Sequence, residues 1–338
     1  MKRMIAAMAL STLLWSCSGD KGTNDEGGNP GGDPKLTQVG FIPVYGATGV
    51  FVSGNTAYVV ADSGFYIIDV TNPASPVKRS SLAVKTPFSG ARDVFVAGST
   101  AYIADYNSGL ITVDVTDPSN PDSLTQWVDG VQECSNVQVA NGYAYLAYED
   151  SGLVILNVSN PASPTLAGRI RIPARDVALV GSTLSVLCTA DTLLRVYSVV
   201  APGSLMQTCA VPKAAGDPVP TGFGVSTTVT AIAMDAWENW AGEGIKLVAP
   251  NCGATASQVT EGYAQNVTVS GQYVIVGDYG TGVRVFKYSG SSAPVQIDFT
   301  ANTTHPDDIF VSGDYCFVTD DDSGDSQQGL YVFRFVAP

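Results

Sequence analysis

Short apolar runs alternate with turn residues along this chain. In the first stretch with a clear pattern, apolar residues occupy 50–52, 58–61 and 65–68, and Ser, Gly, Asn and Asp stand in the turns between them. Runs of this length that are rich in Val, Ile, Tyr and Phe predict strands rather than helices. An extended but polar segment, 76–82, follows the third run, so the stretch predicts four strands.

The same four-strand pattern returns about every 40 to 46 residues. Its copies begin at seven positions, the fifth of them degenerate: Val50, Val94, Val137, Val177, Phe223, Val267 and Ile309. A four-stranded repeat of this length is typical of a β-propeller blade. Neighbouring blades would cover both faces of the inner strands, which accounts for their continuous apolar runs. The outermost strand would be an exposed edge, protected by charged residues such as Lys78 and Arg79.

The two ends of the chain predict how the ring of blades closes. The last copy ends with the third-strand segment 333–336, and no fourth strand follows it. The segment 34–40 precedes the first copy and has the polar character of an outer strand. An open solenoid would need polar caps, and the sequence shows none. We therefore predict an all-β, seven-bladed β-propeller that is closed by the N-terminal strand pairing with the last blade.

Three third-strand segments and the tails that follow them resemble the LVIVD repeat of bacterial surface proteins. They cover 65–73, 110–118 and 153–161, and each ends in Val, then Thr or Ser, then Asn or Asp, then Pro. The resemblance extends over roughly 35–338 and weakens from the fourth copy onward. It implies a β-propeller on an exported protein. It implies no catalytic residues, because the family pattern consists of strand and turn positions.

The N-terminus predicts an export signal and a lipid anchor. Residues 1–16 combine a basic start with an apolar segment that is too short to span a bilayer permanently. The sequence of 14–17, Leu-Trp-Ser-Cys, resembles the lipobox of bacterial lipoproteins, although Trp15 is unusual there. The resemblance implies cleavage before Cys17 and acylation of Cys17; an ordinary secretory signal is the alternative. Residues 17–34 would form a flexible Gly/Asp-rich tether, and 35–338 the propeller. We expect Cys17 to hold the protein in a lipid bilayer, at the outer membrane or cell surface.

Composition excludes some functions. The chain carries a net charge of −14, and only 14% of its residues are charged, against about 25% in ordinary globular proteins. An acidic protein repels phosphate backbones, so we expect no nucleic-acid partner.

The cysteines beyond Cys17 are odd in number: Cys134, Cys188, Cys209, Cys252 and Cys316. An extracytoplasmic location would permit disulfides, and five cysteines can form at most two of them. Cys134 with Cys188, in adjacent blades, is the first pair predicted, and Cys316 is predicted to be a buried free thiol. No CxxC spacing is present, which argues against metal or redox chemistry at these residues.

Charged residues precede the innermost strand in three copies, where they would line the mouth of the central channel. They are Arg92 and Asp93, Arg175 and Asp176, and Asp307 and Asp308. Such neighbours could form ion pairs between blades, or they could hold a small polar ligand or a cation. The sequence leaves both alternatives open.

Two copies have a longer loop between the second and third strands, and function concentrates on such loops. In the fifth copy, Trp237 and Trp240 would either pack over the channel or stack on a sugar ring or peptide. In the seventh copy, three acids stand close enough in sequence to supply oxygen ligands to Ca²⁺, although their spacing is not that of an EF-hand. They are Asp320, Asp322 and Asp325. A solvated acidic turn is the alternative, and we expect no other cofactor.

Signatures of enzymes are sparse. His305 is the only histidine, and no GxSxG elbow is present. Our leading hypothesis is a lipid-anchored scaffold that binds a glycan, a peptide or a partner surface protein. The first alternative is a carboxylate-dependent hydrolase or lyase that acts on extracytoplasmic polysaccharide, because acids are plentiful. The second alternative is a spacer with a purely structural role.

Overall fold

A computed structural model describes residues 32–82, 90–130, 133–201, 203–235, 244–253, 255–258, 260, 262–290, 292–322 and 327–336. Over these ranges the chain forms 28 strands in seven four-stranded sheets and contains no helix. The seven sheets are the blades of a propeller, which confirms the predicted fold. In the part of the chain described here, no helix is long and apolar enough to cross a membrane.

Each blade is an antiparallel meander that starts at the central channel. The innermost strands are β2 (Ala47–Ser53), β6 (Ala91–Ala97), β10 (Cys134–Ala140), β14 (Ala174–Val180), β18 (Val219–Val225), β22 (Tyr263–Ser270) and β26 (Pro306–Ser312). The second strands are β3 (Thr56–Ala61), β7 (Thr100–Asp105), β11 (Tyr143–Tyr148), β15 (Thr183–Cys188), β19 (Thr230–Asp235), β23 (Tyr273–Tyr279) and β27 (Tyr315–Asp320).

The two outer positions complete each blade. The third strands are β4 (Gly64–Asp69), β8 (Gly109–Asp114), β12 (Gly152–Asn157), β16 (Thr192–Ala201), β20 (Gly244–Val248), β24 (Gly282–Lys287) and β28 (Gly329–Phe335). The outer strands of blades one to six are β5 (Val77–Leu82), β9 (Asp122–Trp127), β13 (Thr165–Ile170), β17 (Ser204–Pro212), β21 (Thr255–Gln258) and β25 (Val295–Thr300). The outer strand of blade seven is β1 (Leu36–Pro43).

Blade seven joins the two ends of the described chain. Strand β1 pairs antiparallel with β28, with Leu36 opposite Phe335 and Pro43 opposite Gly329. The ring of Phe41 lies 4.7 Å from that of Tyr331, so the added strand also contributes apolar contact. This pairing confirms that the N-terminal strand closes the ring.

Seven apolar clusters hold neighbouring blades together, one at each interface. Between blades one and two, for example, Phe65 and Ile67 pack with Val94 and Ile103, and all four are buried. Burial of this kind removes apolar surface from water on both faces of a blade and is the main stabilising term. On the outer strand β5, four of the six residues remain exposed, as its polar sequence predicts.

A β-bulge near the start of every innermost strand shapes the channel. In blade one the pairing of β2 with β3 skips from Ala47 to Gly49, which leaves Thr48 without a partner in the ladder. The same skip occurs in the other six blades. A bulge re-aims a side chain locally, and here it turns one extra residue of each blade toward the channel.

The predicted Cys134–Cys188 disulfide is wrong. The structure contains a disulfide between Cys209 of β17 and Cys252 after β20, whose Cα atoms are 6.0 Å apart. Cys134 packs between blades two and three, whereas Cys188 packs between blades three and four, so the sheet of blade three separates the two thiols. Both are buried and free, and so is Cys316, as predicted for that residue.

Candidate functional site

Three rings of side chains line the central channel. The bulged residues form the mouth ring: Thr48, Arg92, Ser135, Arg175, Thr221, Gln265 and Asp307. The residues that follow them form the neck ring: Gly49, Asp93, Asn136, Asp176, Gly222, Asn266 and Asp308. Since alternate residues of a strand face the same side, the next channel-facing positions form the lower ring: Phe51, Phe95, Gln138, Ala178, Gly224, Thr268 and Phe310.

The mouth ring surrounds a cavity of about 270 Å³, which Tyr106 and Glu149 also line. Arg175 is held in place by the protein: its Nη1 lies 3.1 Å from Glu149 Oε1, and its Nε donates to the carbonyl of Thr221 at 2.8 Å. The guanidinium of Arg92 lies 5.7 Å from the centre of the Tyr106 ring. Arg92 is exposed and forms no ion pair with the residues that the structure describes. The mouth cavity therefore presents a cation that can pair with a ligand.

Asp307 presents a carboxyl group to the same cavity. Its Oδ2 is buried and accepts no hydrogen bond from the described residues. Burial raises the pKa of Asp307 well above its usual value, and the nearby carboxyl of Asp321 raises it further. Asp321 Oδ1 in turn lies 3.5 Å from His305 Nδ1. The mouth thus combines an exposed guanidinium with a carboxyl group that favours its protonated form.

Side chains of the neck ring connect neighbouring blades. Asp93 Oδ2 accepts from the backbone N–H of Val137 at 2.9 Å. In the same way, Asp308 Oδ2 accepts from the N–H of Val50 at 2.9 Å. Each acceptor belongs to one blade and each donor to the next, so these hydrogen bonds link neighbouring blades. When the carboxyl group is ionised, such a bond is charge-assisted and about twice as strong as a neutral one.

Glycine occupies the neck ring in blades one and five because the neighbouring backbone comes too close for a side chain. A Cβ on Gly49 would lie 2.8 Å from the carbonyl oxygen of Arg92, and one on Gly222 would lie 2.9 Å from that of Gln265. There the bulged threonines make the contact between blades: Thr48 Oγ1 donates to Ala91 O at 2.8 Å, and Thr221 Oγ1 to Ala264 O at 2.6 Å.

Three carboxyl groups face one another across the neck ring. Burial raises the pKa of Asp93 to about 7, and the charge of Asp308 raises it too, although two backbone N–H groups act in the opposite direction. Burial, followed by the charges of Asp93 and Asp308, raises the pKa of Asp176 well above its usual value. Burial also raises the pKa of Asp308. At neutral pH the neck ring therefore carries less negative charge than its sequence suggests.

The predicted neighbours Arg92 and Asp93, Arg175 and Asp176, and Asp307 and Asp308 thus divide between two levels. The first member of each pair lies in the mouth ring and the second in the neck ring. The ion pair that does bridge two blades at the mouth joins Arg175 to Glu149 rather than to an aspartate.

Below the neck ring lies a second cavity of about 290 Å³. Phe310, Phe51 and Phe95 come from three adjacent blades, and the Phe51 ring lies 4.9 Å from Phe95 and 5.1 Å from Phe310. The other four blades contribute the smaller residues of the lower ring. This lower cavity is therefore aromatic on one side and bounded by carboxyl groups at the neck ring.

In the long loop of blade seven, the structure shows what Asp320 does. Its Oδ2 accepts from the backbone N–H groups of Thr304 and His305 at 2.7 and 3.1 Å, and its Oδ1 accepts from that of Asp322 at 3.0 Å. Asp320 therefore organises the turn. Over the described ranges, no three His, Cys, Asp or Glu residues are grouped so as to hold a metal ion. Asp325 lies outside those ranges, and the Ca²⁺ site stays a prediction. Cys17, Trp237 and Trp240 also lie outside the described residues.

Sequence reasoning missed the polar members of the mouth ring that carry no charge: Thr48, Ser135, Thr221 and Gln265. Each stands two positions before the first residue of a copy. An alignment of the copies at that position is a signal that could have identified the ring.

Comparison with known proteins supports the architecture. The model of the LVIVD repeat matches residues 46–83, 90–126, 133–171, 261–295 and 305–324. No curated protein matches this chain.

Solved structures with the same fold include three with low sequence identity. The computationally designed Ika8 protein is 9% identical, with a TM-score of 0.62, over 90% of this chain and 100% of that chain. BamB from Moraxella catarrhalis is 10% identical, with a TM-score of 0.59, over 89% of this chain and 98% of that chain. A chain of the mitotic checkpoint complex is 11% identical, with a TM-score of 0.65, over 100% of this chain and 99% of that chain. At these identities the likeness concerns the fold alone.

Proposed function

Because this chain belongs to the LVIVD repeat family and forms a propeller, a fold suited to protein interaction, we propose that it is a binding protein whose ligand enters the mouth cavity. The observation that carries the proposal is the set of seven bulges, which turn seven side chains into one cavity of about 270 Å³. The hydrogen bonds of the neck ring would be enough to hold a purely structural ring together. Within the described part of the chain, the exposed side chain of Arg92 in the mouth ring adds no such bond between blades.

The chemistry of the mouth cavity favours a polar ligand that carries a carboxylate. Arg92 can bind a carboxylate with two parallel hydrogen bonds. The Tyr106 ring offers a flat face, and the carboxyl of Asp307 can donate to or accept from a hydroxyl or amide. An acidic glycan or the C-terminal end of a peptide meets these requirements, and either would come from a surface polymer or a partner surface protein.

The location that we propose is the outer membrane or cell surface, with the acyl groups of Cys17 in the bilayer. The lipobox-like segment and the Gly/Asp-rich segment after it support this. Mass spectrometry of the N-terminal peptide from cells should show diacylated or triacylated Cys17, and Cys17→Ser should release the protein from the membrane fraction. An unmodified Cys17 at the mature N-terminus would contradict the anchor.

Binding to the mouth can be tested with the full chain on a panel of acidic and neutral oligosaccharides and peptides. Arg92→Gln should weaken the binding of any ligand found by at least 10-fold, because a charge-assisted pair contributes about 1.5–3 kcal/mol. Lys78→Gln removes the same charge from the exposed strand β5 and should leave the affinity unchanged. A ligand that binds Arg92→Gln and the unaltered chain equally well would place its site elsewhere.

A carboxylate-dependent hydrolase or lyase is the second candidate, and the Asp307–Asp321 pair favours it. A carboxyl group whose pKa burial raises well above its usual value, beside a second carboxyl group, suits general acid catalysis. If this function is correct, the full chain should release reducing ends or unsaturated products from an extracytoplasmic polysaccharide. Asp307→Asn should then abolish turnover without lowering the melting temperature. Binding without product across the panel would exclude it.

A further inference from the structure

We propose that the lower cavity is a second site, separate from the mouth cavity, and that it binds an organic ammonium group between the phenyl rings of the lower ring and the carboxyl groups of the neck ring. Alkylammonium ions, trimethylammonium groups and lysine side chains belong to this class. The site is independent of the ligand proposed for the mouth cavity.

The position of the neck ring supports this assignment. Asp93, Asp176 and Asp308 line the lower cavity as well as the mouth cavity. A group that enters from the face opposite the mouth therefore reaches carboxyl oxygens at the end of its path. No lysine, arginine or histidine lines the lower cavity within the described residues. A cation bound there would be the nearest positive charge on that side of the neck ring.

The walls of the cavity suit a cation that has apolar substituents. Phe51, Phe95 and Phe310 are only partly buried. The Phe51 ring lies 4.9 Å from that of Phe95 and 5.1 Å from that of Phe310. Aromatic faces attract ammonium groups through the ring quadrupole, and the attraction reaches about 2 kcal/mol when the cation is desolvated. On the opposite wall, Ala178 presents only a methyl group, which leaves room for alkyl groups.

A bare metal ion does not fit the same place. A hard cation such as Ca²⁺ takes six to eight oxygen ligands. At the neck ring, however, both oxygens of Asp308 and the Oδ2 of Asp93 already accept hydrogen bonds. Among the described residues, no group of three His, Cys, Asp or Glu side chains is placed to hold a metal ion. An organic ammonium needs the electrostatic field of the carboxyl groups and the aromatic faces, and these remain available.

Isothermal titration of the full chain with choline chloride at pH 8 tests the proposal. We expect saturable binding of choline that is at least 10-fold tighter than binding of 3,3-dimethylbutanol, its neutral isostere. Asp93→Asn should weaken choline binding at least 10-fold, because Asp93 is ionised at pH 8, and Phe95→Leu about 3- to 30-fold, from the aromatic contribution. Asp122→Asn removes the same charge from the exposed strand β9 and should leave the affinity unchanged.

A second variant, which fills the cavity, keeps the test decisive if Asp93→Asn alters the fold. Ala178→Leu should abolish choline binding while retaining the circular dichroism spectrum of the unaltered protein. Choline and its isostere binding equally would show an apolar cavity without selectivity for cations and overturn the proposal. The absence of saturable choline binding, or undiminished binding by Ala178→Leu, would overturn it as well.

The pH dependence of choline binding gives an independent readout. Affinity should fall between pH 8 and pH 6 as Asp93 becomes protonated, since its pKa is about 7. The titratable and charged groups around it are Asp176 and Asp308 across the channel, Cys134 on β10, and Arg92 and Arg175 in the mouth ring. Affinity that is constant over this range would contradict a role for the neck-ring carboxyl groups.

Discussion

Replacement of Asp93 by asparagine should stabilise the propeller at pH 8 and have little effect at pH 3.5. Asparagine keeps an Oδ1 that can accept the hydrogen bond from the N–H of Val137, which Asp93 accepts at 2.9 Å. It removes the carboxyl group whose ionisation the neck ring disfavours. The variant therefore keeps the hydrogen bond between blades two and three and removes only the free-energy cost of a buried negative charge.

The pKa of Asp93 gives the sign and the size of the effect. In the unfolded chain the carboxyl releases its proton near 3.8, whereas in the folded protein it keeps the proton up to about 7. Between these values the folded state binds more protons, so the free energy of unfolding falls as pH rises. The difference from 3.8 to about 7 corresponds to about 4 kcal/mol. Solvent in the channel reduces this free-energy difference, and we expect Asp93→Asn to be ~2–4 kcal/mol more stable than the unaltered protein above pH 7.

Urea denaturation of the full chain between pH 3.5 and pH 8.5 measures this. The stability of Asp93→Asn minus that of the unaltered protein should grow from near zero below pH 3.8 and level off above pH 7. Ser123→Ala, on the exposed strand β9, removes no titratable group and should give a difference that does not change with pH. Parallel curves for Asp93→Asn and the unaltered protein would refute the reasoning, because the carboxyl would then titrate alike in both states.

Three further changes test other parts of the molecule. Reduction of the Cys209–Cys252 disulfide, whose cysteines are 43 residues apart, should lower stability by about 4 kcal/mol by the loop-closure estimate; an unchanged thermal melt would contradict this. Arg284→Met leaves the carboxylate of Asp278 buried without its partner at 2.6 Å and should cost about 3–5 kcal/mol, measured by urea denaturation against Arg284→Lys. Ca²⁺ should raise the melting temperature of the full chain relative to chelator if the loop 320–329 binds it; equal melting temperatures would remove that site.

The blades could be predicted because strands and turns depend on neighbouring residues. The polar segment 34–40 even indicated the closing strand, because an outer edge has the same composition in every copy. The degenerate fifth copy could be placed by aligning Gly222 with Gly49. The structure puts both glycines at the neck ring, directly after a bulge.

The division of the channel into levels could not be predicted. Arg92 and Asp93 are adjacent in sequence, and an ordinary strand would place them on opposite faces. The bulge between Ala91 and Asp93 turns both toward the channel. A bulge depends on how two strands pair, and the residue pattern of one strand does not reveal it. Whether the mouth binds a ligand stays a prediction.

The disulfide was mispredicted for a related reason. Cys134 and Cys188 lie at strand ends near the same rim of the propeller, in adjacent blades, which suggested that they were close in space. Their side chains point to different interfaces. The position of a strand along the chain does not say which of its two faces a cysteine occupies, whereas Cys209 and Cys252 share the interface between blades four and five.

The pairing of β1 with β28 has a consequence for how the protein is made. The partners Pro43 and Gly329 are about 290 residues apart in sequence, so synthesis must pass through six blades before the seventh can gain its outer strand. Until then, one side of β28 is a bare edge, and contacts between such distant segments form slowly. A chain interrupted before Gly329 would therefore remain an unjoined arc. Only a chain that extends through β28 can pair its two ends and cover that edge.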